Sequence, residues 1–483
     1  MQEGAAPRTA TGTRIAAELP RVLGALSAAS ILIGSIIGSG IFRKPSAVAR
    51  ELPSPGWILV AWAAAGFLSL IGSLVFAELG SYYPRAGGQY TYLRESFGRL
   101  PAFLFGWTNL LIINSASMAA MVVFSAEHFF NLLPGSLQPA PKSHWFETVP
   151  VLMIAFLTAV NILGVRWGAA LQNVLTILKL AAIGLIIFGI SLPEKTDWSR
   201  FSPFWEIRGS PPASAVWSGF KDAFVAIFWA YDGWYLLSFS GAEIRNPRRN
   251  IPLGFILGIL VVVAVYLAAN VAYFLTIDLA DMAAIERQGG VAAEAALRLF
   301  GPAGLALVAV GITGSTLGSA NGNMLTGPRL SYAMARDGLF FRPFGTLHPR
   351  FLTPVLAIAV QGLLSAAYIY CGTFDQLTDA VVFAAWVFYL LTVAGYFSIR
   401  RRWKGRDDVF RSPGFPILPA IFIAFAAVFL AGASIDSVSH VRGYLAGDPK
   451  AADGIYPILC VAMIALGLPV YWSLRRKAVE PRA

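Results

Sequence analysis

The sequence predicts an all-α polytopic membrane protein with twelve transmembrane helices, the first and sixth each broken near the middle. Three observations carry that prediction. The 483 residues are 57% hydrophobic and 13% charged, with mean hydropathy +0.64. That composition suits the interior of a bilayer and excludes a soluble enzyme. Charge-poor runs of about 18 or more residues, long enough to cross the hydrocarbon core, recur twelve times. They fall at 25–49, 56–80, 100–130, 149–165, 168–192, 217–244, 252–276, 303–335, 352–371, 375–399, 414–434 and 455–474. Two of them, the first and the sixth, carry helix-breaking residues at their centres.

One membrane domain, 25–474, takes nearly the whole chain. The tails, 1–24 and 475–483, are too short to fold alone, and the first span is expected to serve as the insertion signal. The net charge of +11 raises nucleic acid as a partner, but its placement argues for topology instead. With the N-terminus cytoplasmic, inside segments hold about 24 Lys and Arg and outside segments about 12, the bias of the positive-inside rule. Both termini are then expected in the cytoplasm of a multi-pass plasma (inner) membrane protein. Cys371 and Cys460 sit in or at the ends of apolar runs and imply no disulfide framework. No paired zinc-ligand cysteines and no phosphate-cradling glycine loop occur, so no cofactor and no metal are expected.

The first run contains Gly34-Ser35-Ile36-Ile37-Gly38-Ser39-Gly40-Ile41-Phe42. Each glycine disfavours a helix interior by roughly 0.8–1 kcal/mol relative to alanine. In lipid, unwound backbone is tolerated only where it is buried in protein or lines a cavity. Gly38-Ser39-Gly40 therefore reads as a break, with a half-helix restarting near Ile41 whose free N–H groups attract a carboxylate. The competing reading is a small-residue face for helix packing. On the first reading a β-branched residue at Gly38 or Gly40 should block the ligand while leaving the fold intact.

After the break, Arg43-Lys44-Pro45 closes the outer half of the first helix. Helix two ends at Glu78-Leu79-Gly80, before a Pro/Gly-rich loop with interfacial tyrosines. Helix five buries Lys179 about ten residues from either end of its span, too deep for easy snorkelling and so a functional candidate. Helix six carries Phe228-Trp229-Ala230-Tyr231-Asp232-Gly233-Trp234. Asp232 there is a good N-cap for a half-helix starting at Trp234, and it can equally face a cavity and pair with a cation. Helix eight is unusually polar, with Ser315, Thr316, Ser319, Asn321 and Asn323. Interrupted helices five apart point to an inverted repeat of helices 1–5 and 6–10, with 11 and 12 added.

These residues together resemble the amino acid–polyamine–organocation (APC) superfamily, and within it the L-type amino acid transporter branch. The resemblance spans the chain. It rests on Ile36 to Phe42, Pro84-Arg85-Ala86-Gly87-Gly88, Ala230 to Trp234, Glu243-Ile244-Arg245-Asn246-Pro247, Ser331 to Gly338 and Arg411-Ser412-Pro413-Gly414-Phe415-Pro416. It implies a LeuT-like 5+5 inverted-repeat fold. It also implies a substrate site over Ile36, Gly38, Ser39, Gly40, Trp229, Ala230, Tyr231, Asp232, Gly233 and Ser319. The carboxylate would lie on N–H groups at Ser39 and Gly40, the ammonium on carbonyls of Ile36, Trp229 and Asp232. Trp229 matches an aromatic gate. Lys179 matches a lysine that replaces a sodium site and links helix one to helix eight near Ser319, with Glu243 a second coupling residue.

Two departures stand out. Arg43-Lys44 replaces small or apolar residues, which could bias an outer vestibule toward anions or meet lipid headgroups. The loop from Asn131 to Val149 lacks the cysteine that joins animal members to an ancillary glycoprotein, so no disulfide-linked partner is expected. The expected function is sodium-independent exchange of neutral L-amino acids by alternating access. The alternatives are a cationic amino acid or polyamine antiporter and a proton-coupled symporter. An enzyme is disfavoured because His128, His144, His348 and His440 all lie at helix ends or in loops. A channel would favour a continuous polar pore over two broken helices.

Overall fold

The computed structural model describes residues 21, 23–84, 87–140, 143–207, 212–285, 290–405 and 408–479. Arg85 and Ala86 of the second loop motif, most of the 1–24 tail and residues 480–483 lie outside them. Among the described residues there are sixteen α-helices and no strand. The first six are α1 (Ala25–Ile36), α2 (Ser39–Glu51), α3 (Pro55–Tyr82), α4 (Gly88–Phe97), α5 (Arg99–Thr108) and α6 (Asn114–Phe130). Then come α7 (Trp145–Leu163), α8 (Val165–Phe188), α9 (Ala213–Tyr231), α10 (Pro247–Thr276) and α11 (Leu279–Ala284). The last are α12 (Gly290–Arg336), α13 (Val355–Tyr368), α14 (Phe374–Arg402), α15 (Ile417–Leu445) and α16 (Tyr456–Val479).

Among the described residues nine spans are long and apolar enough to cross a membrane, and α1 with α2 makes a tenth if the bent pair is one span. The chain is therefore a polytopic helical membrane protein. The remaining two predicted runs fall on α9 with the tight helix that follows it, and on α13. Local chemistry sets several boundaries. Pro55 and Pro247 open α3 and α10 at positions where the missing N–H has no intrahelical partner to lose. Thr373 and Gln376 cap α14 reciprocally. Gly301, at φ 68°, kinks α12 just before Pro302, so the apolar run read from 303 begins at a real bend.

The bundle has two chemically distinct ends. Leu23 forms a backbone bridge to Ile244, and Arg248 pairs with Asp408 at 2.5 Å, which gathers the arginine-rich turns on one face. On that face the carboxylate of Glu78, fully buried at the end of α3, accepts hydrogen bonds from the hydroxyls of Tyr82 and Tyr396. It also takes the guanidinium of Arg400 at 3.1 Å and the backbone N–H of Ser412 at 2.6 Å. Arg411 approaches at 3.5 Å. One side chain thus fastens α3 to α14 and to the chain leading into α15.

The opposite end, where α2 finishes, corrects the reading of Arg43-Lys44. Neither residue meets headgroups or lines an open vestibule; they are 6% and 2% exposed. Arg43 pairs with Glu127 of α6 at 2.9 Å, its guanidinium 4.2 Å from the ring centre of Phe374. Lys44 donates to Asp375 and Thr378 of α14, each at 2.9 Å. Charges taken out of water persist only when paired and hydrogen-bonded, and the partners come from distant parts of the chain.

Removing the Glu78 carboxylate would take a shared acceptor from two arginines and two tyrosine hydroxyls. Glu78→Ala should therefore lose about 3–5 kcal/mol, the usual effect of breaking a buried charge pair. Thermal unfolding of the detergent-solubilised protein should show a clearly lowered midpoint; an unchanged midpoint would contradict this assignment.

Candidate functional site

The first break is two residues wide. α1 ends at Ile36, its extended successor Ile37 bonds back to Ile33, and Gly38, at φ −139° and ψ −142°, precedes the start of α2 at Ser39. The pair bends by 47°. The first N–H groups of α2 have no intrahelical acceptor, which makes the start of α2 an anion-binding position.

The second break lies against the first. α9 ends at Tyr231, Asp232 is extended, and Gly233 turns the chain at φ 99°, a left-handed value that glycine adopts without strain. A Cβ at Gly233 would come within 2.8 Å of the Ser35 carbonyl oxygen. The chain then continues as a 3₁₀ helix, Trp234–Glu243. Asp232 does not act as the N-cap expected of it. Gly233 occupies the cap position with no side-chain cap bond, and the Asp232 carboxylate instead accepts the Tyr389 hydroxyl at 2.6 Å.

Two side chains join the two breaks, and a third ties the first break to α12. Tyr266 of α10 donates to the carbonyls of Ala230 at 2.8 Å and Ile36 at 3.2 Å. The indole of Trp229 donates to the Ser39 hydroxyl at 3.1 Å. Lys179 of α8, fully buried, donates to the carbonyls of Gly34 at 2.6 Å and Ile37 at 2.5 Å and to the Ser319 hydroxyl at 3.2 Å. These are the last carbonyls of α1, where the helix stops and its acceptors lose their partners.

Between the breaks lies a cavity of ≈20 Å³, about the room a single water occupies. Ile36, Gly38, Ser39, Gly40, Trp229, Asp232 and Gly233 line it. Three of the predicted substrate residues do not. Tyr231 turns toward α3, its ring against Trp62 at 5.9 Å and Tyr266 at 5.1 Å. Ala230 is packed on Gly40, and Ser319 lies behind Gly38, where a Cβ would meet its hydroxyl at 3.1 Å. Glu243 sits on the basic face, away from the cavity: its carbonyl accepts the Leu23 N–H and its carboxylate lies 3.8 Å from Arg329.

The structure also adds Ser117 and Met121 of α6, Tyr235 and Leu236 of the 3₁₀ helix, and Asn323 of α12 to the lining. Only Asn323 carried a signal, as one of several polar residues on helix eight. Ser117 and Met121 read as ordinary membrane residues, because nothing local says that their face of α6 meets the breaks. Trp229 forms part of the cavity wall.

Two broken helices meeting back to back around a buried polar cavity define a membrane transporter rather than an enzyme. A family model described as amino acid permease matches residues 23–447. The chain belongs to that family, within the APC superfamily. It is 34% identical over 420 residues to the b(0,+)-type amino acid transporter 1 of Homo sapiens, covering 87% of this chain and 83% of that protein. It is 32% identical over 462 residues to the serine/threonine exchanger SteT of Bacillus subtilis (strain 168), covering 95% and 98%. To the large neutral amino acids transporter small subunit 2 of Homo sapiens it is 32% identical over 424 residues, covering 85% and 76%.

The role of Gly40 differs from its reading as ligand clearance. A Cβ there would sit 2.3 Å from the Ala230 Cα, so this glycine lets α2 and α9 cross. Gly40→Val should therefore misfold, with overpacking of about 1–3 kcal/mol or more, and elute as aggregate in size exclusion. A monodisperse Gly40→Val protein lacking only ligand binding would restore the original reading.

Proposed function

We propose that this chain is a sodium-independent exchanger of neutral L-amino acids, in the L-type branch of its superfamily, working by alternating access. The scaffold would be twelve spans in a LeuT-like 5+5 inverted repeat, with α1–α2 and α9 plus its 3₁₀ extension as the paired broken helices. Domain 25–474 would be the transporter, flanked by cytoplasmic tails 1–24 and 475–483, in the plasma (inner) membrane. The basic face would be the cytoplasmic one. The observation that carries the reading is the Lys179 ammonium, bonded to Gly34 and Ile37 at the end of α1 and to Ser319 on α12. Three carbonyl and hydroxyl oxygens around one positive charge are the donor set of a small alkali cation. Here the protein supplies that charge itself.

The substrate's carboxylate would take the N–H groups of Ser39 and Gly40, and Trp229 would close over it. The substrate's ammonium would approach the carbonyls of Ile36, Trp229 and Asp232. Two of these already carry protein donors: Tyr266 on Ile36, and the Asp232 N–H on Trp229 at 3.3 Å. Exchange, rather than net flow, is supported by the printed name of the bacterial relative SteT. No disulfide-linked ancillary subunit is proposed, because the chain between α6 and α7 has no cysteine. Asp232 supports a second reading. Its carboxylate stands on the cavity wall and bonds the neutral hydroxyl of Tyr389, which leaves its charge to meet a cationic substrate end.

Uptake into proteoliposomes should be equal in sodium and choline media and should require internal amino acid. Sodium dependence would overturn the lysine assignment, and indifference to internal substrate would overturn exchange. Lys179→Ala should lower uptake about 5- to 150-fold, the range of a coupling free energy of 1–3 kcal/mol, while the protein still reaches the membrane. Competition separates the two substrate readings. Carboxylate-blocked amides should fail to compete. Strong inhibition by arginine, abolished in Asp232→Asn, would establish the cationic reading instead.

A further inference from the structure

A second cavity, of ≈130 Å³, lies away from the breaks, between α9, α14, α15 and the start of α16. Its charged lining is Lys221 and Asp222 from α9, Asp379 from α14, and Asp436 and His440 from α15. Lys221 is taken by Asp436. Asp379 lies 3.9 Å from the Lys44 ammonium, whose close bonds go to Asp375 and Thr378. The cavity therefore holds more carboxylate than cation. The rest of its wall is apolar and aromatic, chiefly Phe383, Phe429 and Tyr456.

The chemistry selects the ligand. A bare divalent cation needs six or more oxygens within about 2.6 Å. Among the described residues no three His, Cys, Asp or Glu side chains are close enough together to hold a metal. An organic ammonium suits the site better: its charge is attracted by aromatic faces, and its carbon stem is content against Phe383 and Phe429. A primary ammonium has three N–H donors to spread over separated carboxylates, whereas a quaternary one has none. Ile435 and Val438, next in the chain to the lining residues Asp436 and Ser437, are 69% and 39% exposed, so α15 is bordered by bilayer where it meets the cavity.

We propose that this cavity is an accessory site for a primary ammonium group, presented by a free amine or by the ethanolamine headgroup of a phospholipid. Asp222 and Asp379 are its anionic contacts. Because Asp379 also faces Lys44, an occupant would draw on the ion pairs that hold α2 to α14. Occupancy would thus be felt at the outer half of the first broken helix.

The test uses the full-length protein in phosphatidylcholine nanodiscs, titrated by calorimetry with ethanolamine and, as control, with choline. Ethanolamine should bind saturably and choline should not. Asp222→Asn, an isosteric change, should weaken ethanolamine binding about tenfold or more, the loss expected when one of two anionic contacts is removed. Asp222→Glu should restore binding. Native mass spectrometry distinguishes the sources. Retained phosphatidylethanolamine, lost in Asp222→Asn and blocking ethanolamine heat, identifies the lipid; ethanolamine binding that survives phosphatidylethanolamine nanodiscs identifies a free amine. Absence of both ethanolamine heat and retained lipid, or binding equal in wild type and a monodisperse Asp222→Asn, overturns the proposal.

Discussion

The contact on which the arrangement depends is the one between the Lys179 ammonium and the carbonyls that close α1. A helix that stops inside a bilayer leaves its last carbonyls without donors, and in hydrocarbon each unsatisfied group costs several kcal/mol. A lysine at that depth is itself costly without partners. Each defect removes the other: Nζ lies 2.6 Å from Gly34 O and 2.5 Å from Ile37 O. The third bond, to Ser319, reaches α12. A break that would otherwise destabilise α1 becomes a junction of three helices.

The rest of the site follows from keeping that junction closed. Gly38 and Gly233 give the two turns, Gly40 lets α2 cross α9, and Tyr266 bonds a carbonyl from each broken helix. The ends of the bundle are fastened by charge. Glu78 collects two arginines on the basic face, and Arg43 and Lys44 meet Glu127 and Asp375 at the other end. The alternating access proposed above needs two closures that can be exchanged, and buried ion pairs suit that task. They are strong when formed, yet hydration can replace them when the faces part.

Much of this was legible in the sequence because it is local. Apolar length marked the helical runs, and a glycine-serine cluster marked the first break, although Ser39 and Gly40 begin α2, two residues before the restart expected near Ile41. A charge beside a glycine marked the second. What was illegible is long-range. Arg43 looked like an interfacial residue because Glu127 is 84 positions away and Lys44's partner Asp375 is 331 away. Tyr266 and Tyr389 looked like interior aromatics, since only the folded chain brings their hydroxyls to Ile36 and Asp232. The 3₁₀ winding of 234–243 was not legible, because nothing in Trp234–Glu243 separates it from an ordinary apolar α-helical run. The family resemblance puts Tyr231 in the substrate site, but its ring packs against Trp62 of α3 and Tyr266 of α10.

The central claim is that a built-in ammonium occupies the position of a coupling cation. Ligand affinity tests it without transport, since a cation bound in the same cycle must change substrate affinity by the coupling factor. The measurement is the dissociation constant of a transported amino acid for the purified protein, by calorimetry, as sodium replaces choline at constant ionic strength. The account predicts one affinity throughout. A dissociation constant that falls steadily with sodium would show a cation site that Lys179 does not fill.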